Sequence, residues 1–149
     1  MNLETQVMTE MKEAMKSKND AALRGLRAIK AEIIKAKTEP GAGGEINSDT
    51  ELKLLQRLVK QRKDSIEIFE QQNRNDLAIV EKEEVAIIEK FLPKQFTEDE
   101  LKAELQTIIS SVGATSAADL GKVMGVASKQ LAGKADGKAI SAMVKQLLS

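Results

Sequence analysis

A chain of 149 residues with 42% hydrophobic and 31% charged content can bury a real core, and it is too apolar to remain disordered. Its 23 basic and 23 acidic side chains cancel, and it has no histidine, cysteine, tryptophan or tyrosine. Disulfides, thiol nucleophiles, imidazole catalysis and the common zinc sites are therefore excluded, and only Phe69, Phe91 and Phe96 remain for stacking on bases.

No apolar run approaches the roughly 18 residues of a membrane span. The N-terminus mixes acids with lysines, unlike a secretory signal. Without cysteine nothing points to an oxidising compartment, so a cytoplasmic location is expected. Neither a metal nor a cofactor is expected, nor a membrane partner.

Leu3, Val7, Met11 and Met15 recur at helical spacing and predict an amphipathic helix over 2–17. A turn at Lys18-Asn19-Asp20 leads into a second helix, with Asn19 or Asp20 as its cap. Ala22, Leu26, Ile29, Ile33 and Ala36 carry that helix to about Lys37. Residues 38–47 hold Pro40 and three glycines and are expected to form a flexible loop. Its Gly41-Ala42-Gly43-Gly44 is not a phosphate-binding loop, because no strand precedes it and no Gly-Lys-Ser/Thr follows.

Ser48 with Glu51 reads as a capping box opening a third helix. Leu52, Leu55, Val59, Ile66 and Phe69 form its expected apolar face, which Arg62 interrupts. Arg57, Lys60, Arg62 and Lys63 make a basic face there, and the pairs Lys60–Asp64 and Lys63–Glu67 have helical i,i+4 spacing. The break at residues 73–76 starts a fourth helix, with Leu77, Val80, Glu84, Ile87 or Ile88, and Phe91 on its apolar side. Glu81, Glu83, Glu84 and Glu89 on that helix read as a solvated acidic face. Adjacent helix positions do not face each other, so they make no catalytic pair.

Pro93 stops the fourth helix, and Thr97 with Glu100 opens a fifth as a capping box. Leu101, Leu105, Ile108, Ile109 and Val112 stripe it, and Gly113 ends it. Another capping box, Ser116 to Asp119, leads into a helix over 117–131. The turn Ala132-Gly133-Lys134-Ala135 follows, and Asp136 caps a last helix reaching Leu148. No alternating β pattern occurs. The expected fold is all-α, with an N-terminal bundle of four helices over 1–92 and a small three-helix C-terminal domain over 97–149.

The last thirty residues concentrate charge. From Gly121 onward Lys122, Lys129, Lys134, Lys138 and Lys145 face Asp136 alone, a local net of +4 in a neutral chain. Gly121 and Gly125, four apart in a helical pattern, each cost roughly 1 kcal/mol against alanine, so a packing or contact reason is expected. With no side chain there, a neighbouring helix or a sugar-phosphate strand can come close. Lys134, Gly137 and Lys138 set two cations beside the N–H groups of a helix start, where anions are attracted. One reading is a phosphate-binding surface made of Gly121, Lys122, Gly125, Lys129, Gly133, Lys134, Gly137 and Lys138. The other is a solvated turn whose glycines serve tight helix packing.

The run Asp119-Leu120-Gly121-Lys122-Val123-Met124-Gly125, followed by Gly133-Lys134-Ala135-Asp136-Gly137, resembles the signature of the GatB/YqeY family. So do Lys60-Gln61-Arg62-Lys63-Asp64-Ser65, Arg74-Asn75-Asp76-Leu77 and Phe91-Leu92-Pro93. The resemblance runs from Leu3 to Leu148 and is to the stand-alone YqeY-like proteins, small bacterial cytosolic chains. It implies an all-helical protein whose module also forms the tail of the B subunit of tRNA-dependent amidotransferases. That tail helps hold the tRNA, and the module is also appended to some glutaminyl-tRNA synthetases. The amidotransferase's catalytic cradle lies in a part of the B subunit with no counterpart here, and its glutaminase is a separate subunit. The resemblance thus implies a binding accessory for tRNA or another structured RNA, with weak affinity and no catalysis of its own. Two alternatives stay open. One is a protein-interaction adaptor using the N-terminal bundle. The other is an accessory to carbon–nitrogen ligase chemistry with glutamine as amido donor, partnered by the aminoacyl-tRNA or amidation machinery.

Overall fold

A computed structural model describes residues 2–149. Among these residues seven α-helices and one short 3-10 turn follow in order, with no strand, so the fold is all-α. They are α1 (Leu3–Lys16), α2 (Asp20–Lys37), α3 (Ser48–Gln71), α4 (Asn75–Glu89), α5 (Glu98–Val112), α6 (Leu120–Gln130) and α7 (Gly137–Leu148). The 3-10 turn, Ala117–Asp119, runs directly into α6 and takes up the first residues of the helix expected over 117–131. No described helix is long and apolar enough to cross a membrane.

Side-chain caps start most of these helices. The carboxamides of Asn2, Asn19 and Asn47 accept from the N–H groups of Thr5, Ala22 and Thr50. Asn47 therefore holds the cap position of α3, and Ser48 is its first helical residue. The capping box expected between Ser48 and Glu51 does not form. The Glu51 carboxylate instead accepts from the N–H of Leu3 at 3.0 Å, satisfying an unpaired donor in the first turn of α1. Thr97 and Glu100 do form their box at α5, and Gly113 closes that helix at φ 69°, where a side chain would be strained.

The described chain falls into two compact units, divided after Leu92. In the first, Leu26, Ile29 and Ile33 of α2 pack with Val7, Leu54 and Ile88, all almost fully buried. Gly25 lets α2 approach α4 closely, since a Cβ there would lie 2.8 Å from that of Ile87. Along α3 the buried residues are Leu54, Leu55, Leu58 and Val59, all in its first half. Leu54 and Leu58 thus complete a wider stripe than the spacing from Leu52 suggests. Along α4 the buried residues are Ala78, Val85 and Ile88, so the helix is turned by one position from the expected stripe and leaves Leu77 and Val80 exposed. The second unit, Pro93–Ser149, closes around Leu105, Val123, Ala127 and Val144.

Candidate nucleic-acid interface

The face of α6 that turns away from its core is built from the residues the sequence singled out. Val123 and Ala127 are fully buried, and Leu131 just beyond the helix is 2% exposed. At 100° per residue Gly121, Gly125, Lys129 and Lys122 fall within an arc of about 100° on the opposite side. All four are exposed. A Cβ placed on Gly121 or Gly125 would meet nothing within 4 Å, so neither glycine serves helix packing within the second unit. Gly137, the first residue of α7, is equally open. Lys138 and Lys145 share one side of α7, seven residues apart like Lys122 and Lys129. Lys145, counted in the local charge but not in the expected phosphate-binding set, therefore lies on the same side as Lys138.

The connecting turn is more firmly held than its glycine and lysine content suggests. Gly133 is buried at φ 77°, and its carbonyl accepts from the carboxamide of Gln95. The N–H of Phe96 donates to the carbonyl of Lys134 at 2.9 Å, and the Lys134 ammonium stands 5.9 Å above the Phe96 ring. The N–H of Lys134 donates to the carbonyl of Leu131, and that of Lys138 to the capping carboxylate of Asp136. These backbone donors are used within the fold. Gly133 thus shapes the turn, and the exposed cations are the groups left to meet an anion.

Charge pairing separates the two basic clusters. Among the described residues no carboxylate oxygen within 4.0 Å is recorded for Lys122, Lys129, Lys134, Lys138 or Lys145. Asp119, the nearest acid along α6, is turned to its own backbone, accepting from the N–H groups of Thr115 at 2.8 Å and Ser116 at 3.3 Å. These two bonds, Thr115 first, hold its carboxyl below the ordinary aspartate range, with a smaller contribution from Lys122.

On α3 the opposite holds. Arg57 reaches Glu32 of α2 at 2.7 Å, Arg62 reaches Glu84 of α4 at 3.3 Å, and Lys63 reaches Glu89 of α4 at 3.4 Å. Lys60 alone of that cluster has no recorded carboxylate partner. Neither i,i+4 pair expected along α3 forms: Lys63 pairs across to α4 instead, and Lys60 is left without a carboxylate. Glu84 is not part of a solvated face. Its side chain is 14% exposed between Arg62 and Arg24, at 3.3 and 3.9 Å. This cluster braces the first unit.

An open cleft of about 330 Å³ between the start of α1 and the α2–α3 loop is lined by Glu4, Lys37, Glu45 and Glu51 among others. Lys37 spans it to Glu4 at 2.9 Å, and Glu51 caps α1, so its charged groups are largely occupied in holding the fold.

The family model described as Yqey-like protein matches residues 4–148 of this chain. The chain belongs to the YqeY-like family. Two curated relatives are both named "Altered inheritance of mitochondria protein 41, mitochondrial". The one from Clavispora lusitaniae is 33% identical over 110 residues, covering 72% of this chain and 63% of its own length. The one from Pyrenophora tritici-repentis is 30% identical over 150 residues, covering 95% of this chain and 78% of its own. The match therefore spans less than two thirds of the first relative. These names overturn the expected cytoplasmic location, since both relatives of this YqeY-like chain are called mitochondrial. The composition misled for a physical reason: lack of cysteine separates oxidising from reducing compartments and cannot tell one reducing compartment from another. The bacterial origin expected from the resemblance gains no support either, as both relatives are fungal.

Proposed function

We propose that the second unit binds structured RNA, tRNA foremost, through its sugar-phosphate backbone. The observation that carries this reading is the set of exposed lysines without carboxylate partners, flanking an α6 face kept open at Gly121 and Gly125. Ammonium groups free of internal ion pairs can displace counterions from phosphates, whereas paired ones must first break a bridge. The open glycines give a strand room to approach between Lys122 and Lys129. With so few aromatic residues, recognition falls on backbone and shape. The proposed role is that of a binding accessory, acting beside a protein of the aminoacyl-tRNA or amidation machinery. The names of the two relatives favour the mitochondrion as its compartment.

Titration of folded tRNA against salt tests the reading. If three or four lysines neutralise phosphates, log K falls with log salt at a slope of roughly −3, with micromolar or weaker affinity. Lys134→Gln with Lys138→Gln should flatten that slope by about two. Neutralising Arg57, Lys60 and Lys63 should leave it nearly unchanged. If the α3 changes flatten the slope and the turn changes do not, the RNA face lies on the first unit. If folded tRNA shows no salt-sensitive binding, the protein-adaptor alternative takes its place.

A further inference from the structure

The outer face of the α1–α2 hairpin sets exposed apolar side chains among cations that the fold leaves unanswered. Past Asp20, its first residue, α2 exposes only Arg27, Lys30, Ala31, Ile34 and Lys35. At 100° per residue these fall within an arc of about 140°, so they share one side of the helix. No acid stands among them, and Glu32 is turned the other way, to Arg57 of α3 at 2.7 Å. On α1, Glu4, Met8 and Met15 lie within about 40° of one another, and Lys12 follows about 40° beyond Met8. Glu10 and Glu13 are about 140–160° from both methionines, on the far side of that helix. The Glu4 carboxylate takes the Lys37 ammonium of α2 at 2.9 Å, and this bridge sets the two strips side by side. On α1 the methionines lie beyond Glu4 from the buried Leu3, Val7 and Ala14. On α2 Ile34 and Arg27 lie beyond Lys37 from the buried Leu26 and Ile33. Both strips therefore open outward, away from the core.

Met8, Met15 and Ile34 are 46%, 54% and 52% exposed and lean toward the seam between the helices. Lys12 and Lys35 stand nearly opposite the buried side chains of their helices, so they crown the two ridges beside that seam. Among the described residues no carboxylate is recorded within 4.0 Å of Lys12, Arg27, Lys30 or Lys35. The acid within the two strips, Glu4, is already answered by Lys37. We propose that this groove docks an acidic amphipathic helix of a protein partner. Its apolar stripe lies along the seam on Met8, Met15 and Ile34, and its carboxylates meet the four free cations. Methionine suits such a groove, because its unbranched side chain adapts to the shape laid against it. Shape and charge together select this occupant. A flat anionic bilayer would meet the crowning lysines first and leave the apolar side chains short of it. A phosphate backbone offers no apolar stripe, and a second copy pairing symmetrically would set cations against cations. The groove belongs to the first unit and does not depend on the RNA reading.

The test uses the full isotopically labelled chain and two synthetic helices of about 18 residues with leucine at i, i+3, i+4 and i+7. One carries glutamate at its remaining positions, its control lysine. The leucine–glutamate helix should give saturable amide shifts centred on α1 and α2, and the leucine–lysine helix none. Met8→Gln with Ile34→Gln should weaken binding about tenfold while leaving the thermal melt unchanged, since both side chains are exposed. Lys12→Gln with Lys35→Gln should weaken it about as much and reduce its salt dependence. Lys60→Gln with Lys94→Gln removes the same charge elsewhere and should leave binding unaltered. The proposal is overturned by shifts centred on other helices, by equal binding of both peptides, by indifference to either groove variant, or by an equal loss in the charge-matched control. Self-association abolished by Met8→Gln with Ile34→Gln would assign the groove to a second copy. Protection of the same amides by folded tRNA would assign it to nucleic acid, and protection by phosphatidylglycerol vesicles to a bilayer. Each of these results also overturns the proposal.

Discussion

Single residues here separate two uses of glycine that look alike in the sequence. Gly25 lies where a Cβ would press on the Cβ of Ile87 at 2.8 Å, while Gly125 faces open space. Gly25→Ala should therefore destabilise by roughly 1–3 kcal/mol through overpacking between α2 and α4. Gly125→Ala should stabilise by up to about 1 kcal/mol, since it gains helix propensity and meets no neighbour. Urea titration of both variants checks the opposite signs. Gly125→Leu should keep the fold and lose RNA affinity, and retained affinity would deny that a strand approaches α6 there. Glu84 offers a second contrast. Replacing it with alanine strands Arg62, whose side chain is 16% exposed, and should cost about 2 kcal/mol. Glu83→Ala removes only the half-exposed bridge to Arg24 and should cost under about 1 kcal/mol.

At the scale of elements, two carboxylates fasten helix starts in the second unit. Glu100 is held below the ordinary glutamate range by the N–H of Thr97 first and then the Thr97 hydroxyl. Asp119 is held low by the N–H groups of Thr115 and Ser116. A carboxyl whose folded pKa is depressed contributes stability above its unfolded pKa and loses it as pH falls through the folded value. Melting temperature should therefore fall as pH drops below the ordinary carboxylate range, and Glu100→Gln with Asp119→Asn should flatten that acid limb. An unchanged limb would mean that the caps do not carry the titration. The register of α4 belongs to this scale too. Its apolar residues fit two stripes, one through Leu77, Val80 and Glu84 and one through Ala78, Val85 and Ile88. Packing selected the second, because Glu84 is engaged by Arg62 and Arg24 while Ile88 enters the core.

For the whole molecule, the boundary after Leu92 predicts that the second unit folds alone. A fragment starting at Pro93 should melt cooperatively. One starting at Thr97 should be less stable by about 2 kcal/mol, since it loses the bonds of Gln95 and Phe96 to the 133–134 turn and the half-buried Phe96 ring. Equal melting of the two fragments would show that these contacts do not support the turn. The all-α class, the helix count and most caps were legible in the sequence, because caps, proline stops and helical periodicity act over a few neighbouring residues. The local excess of lysine was legible for the same reason. Long-range contacts decided the rest: Glu51 capping α1, Glu84 between two arginines, Arg57 and Lys63 answered from other helices, and Gly133 drawn inside by Gln95. Sequence spacing locates a charge along its own helix. Whether that charge is free depends on which carboxylate a distant segment brings within about 4 Å, and only the tertiary structure decides that.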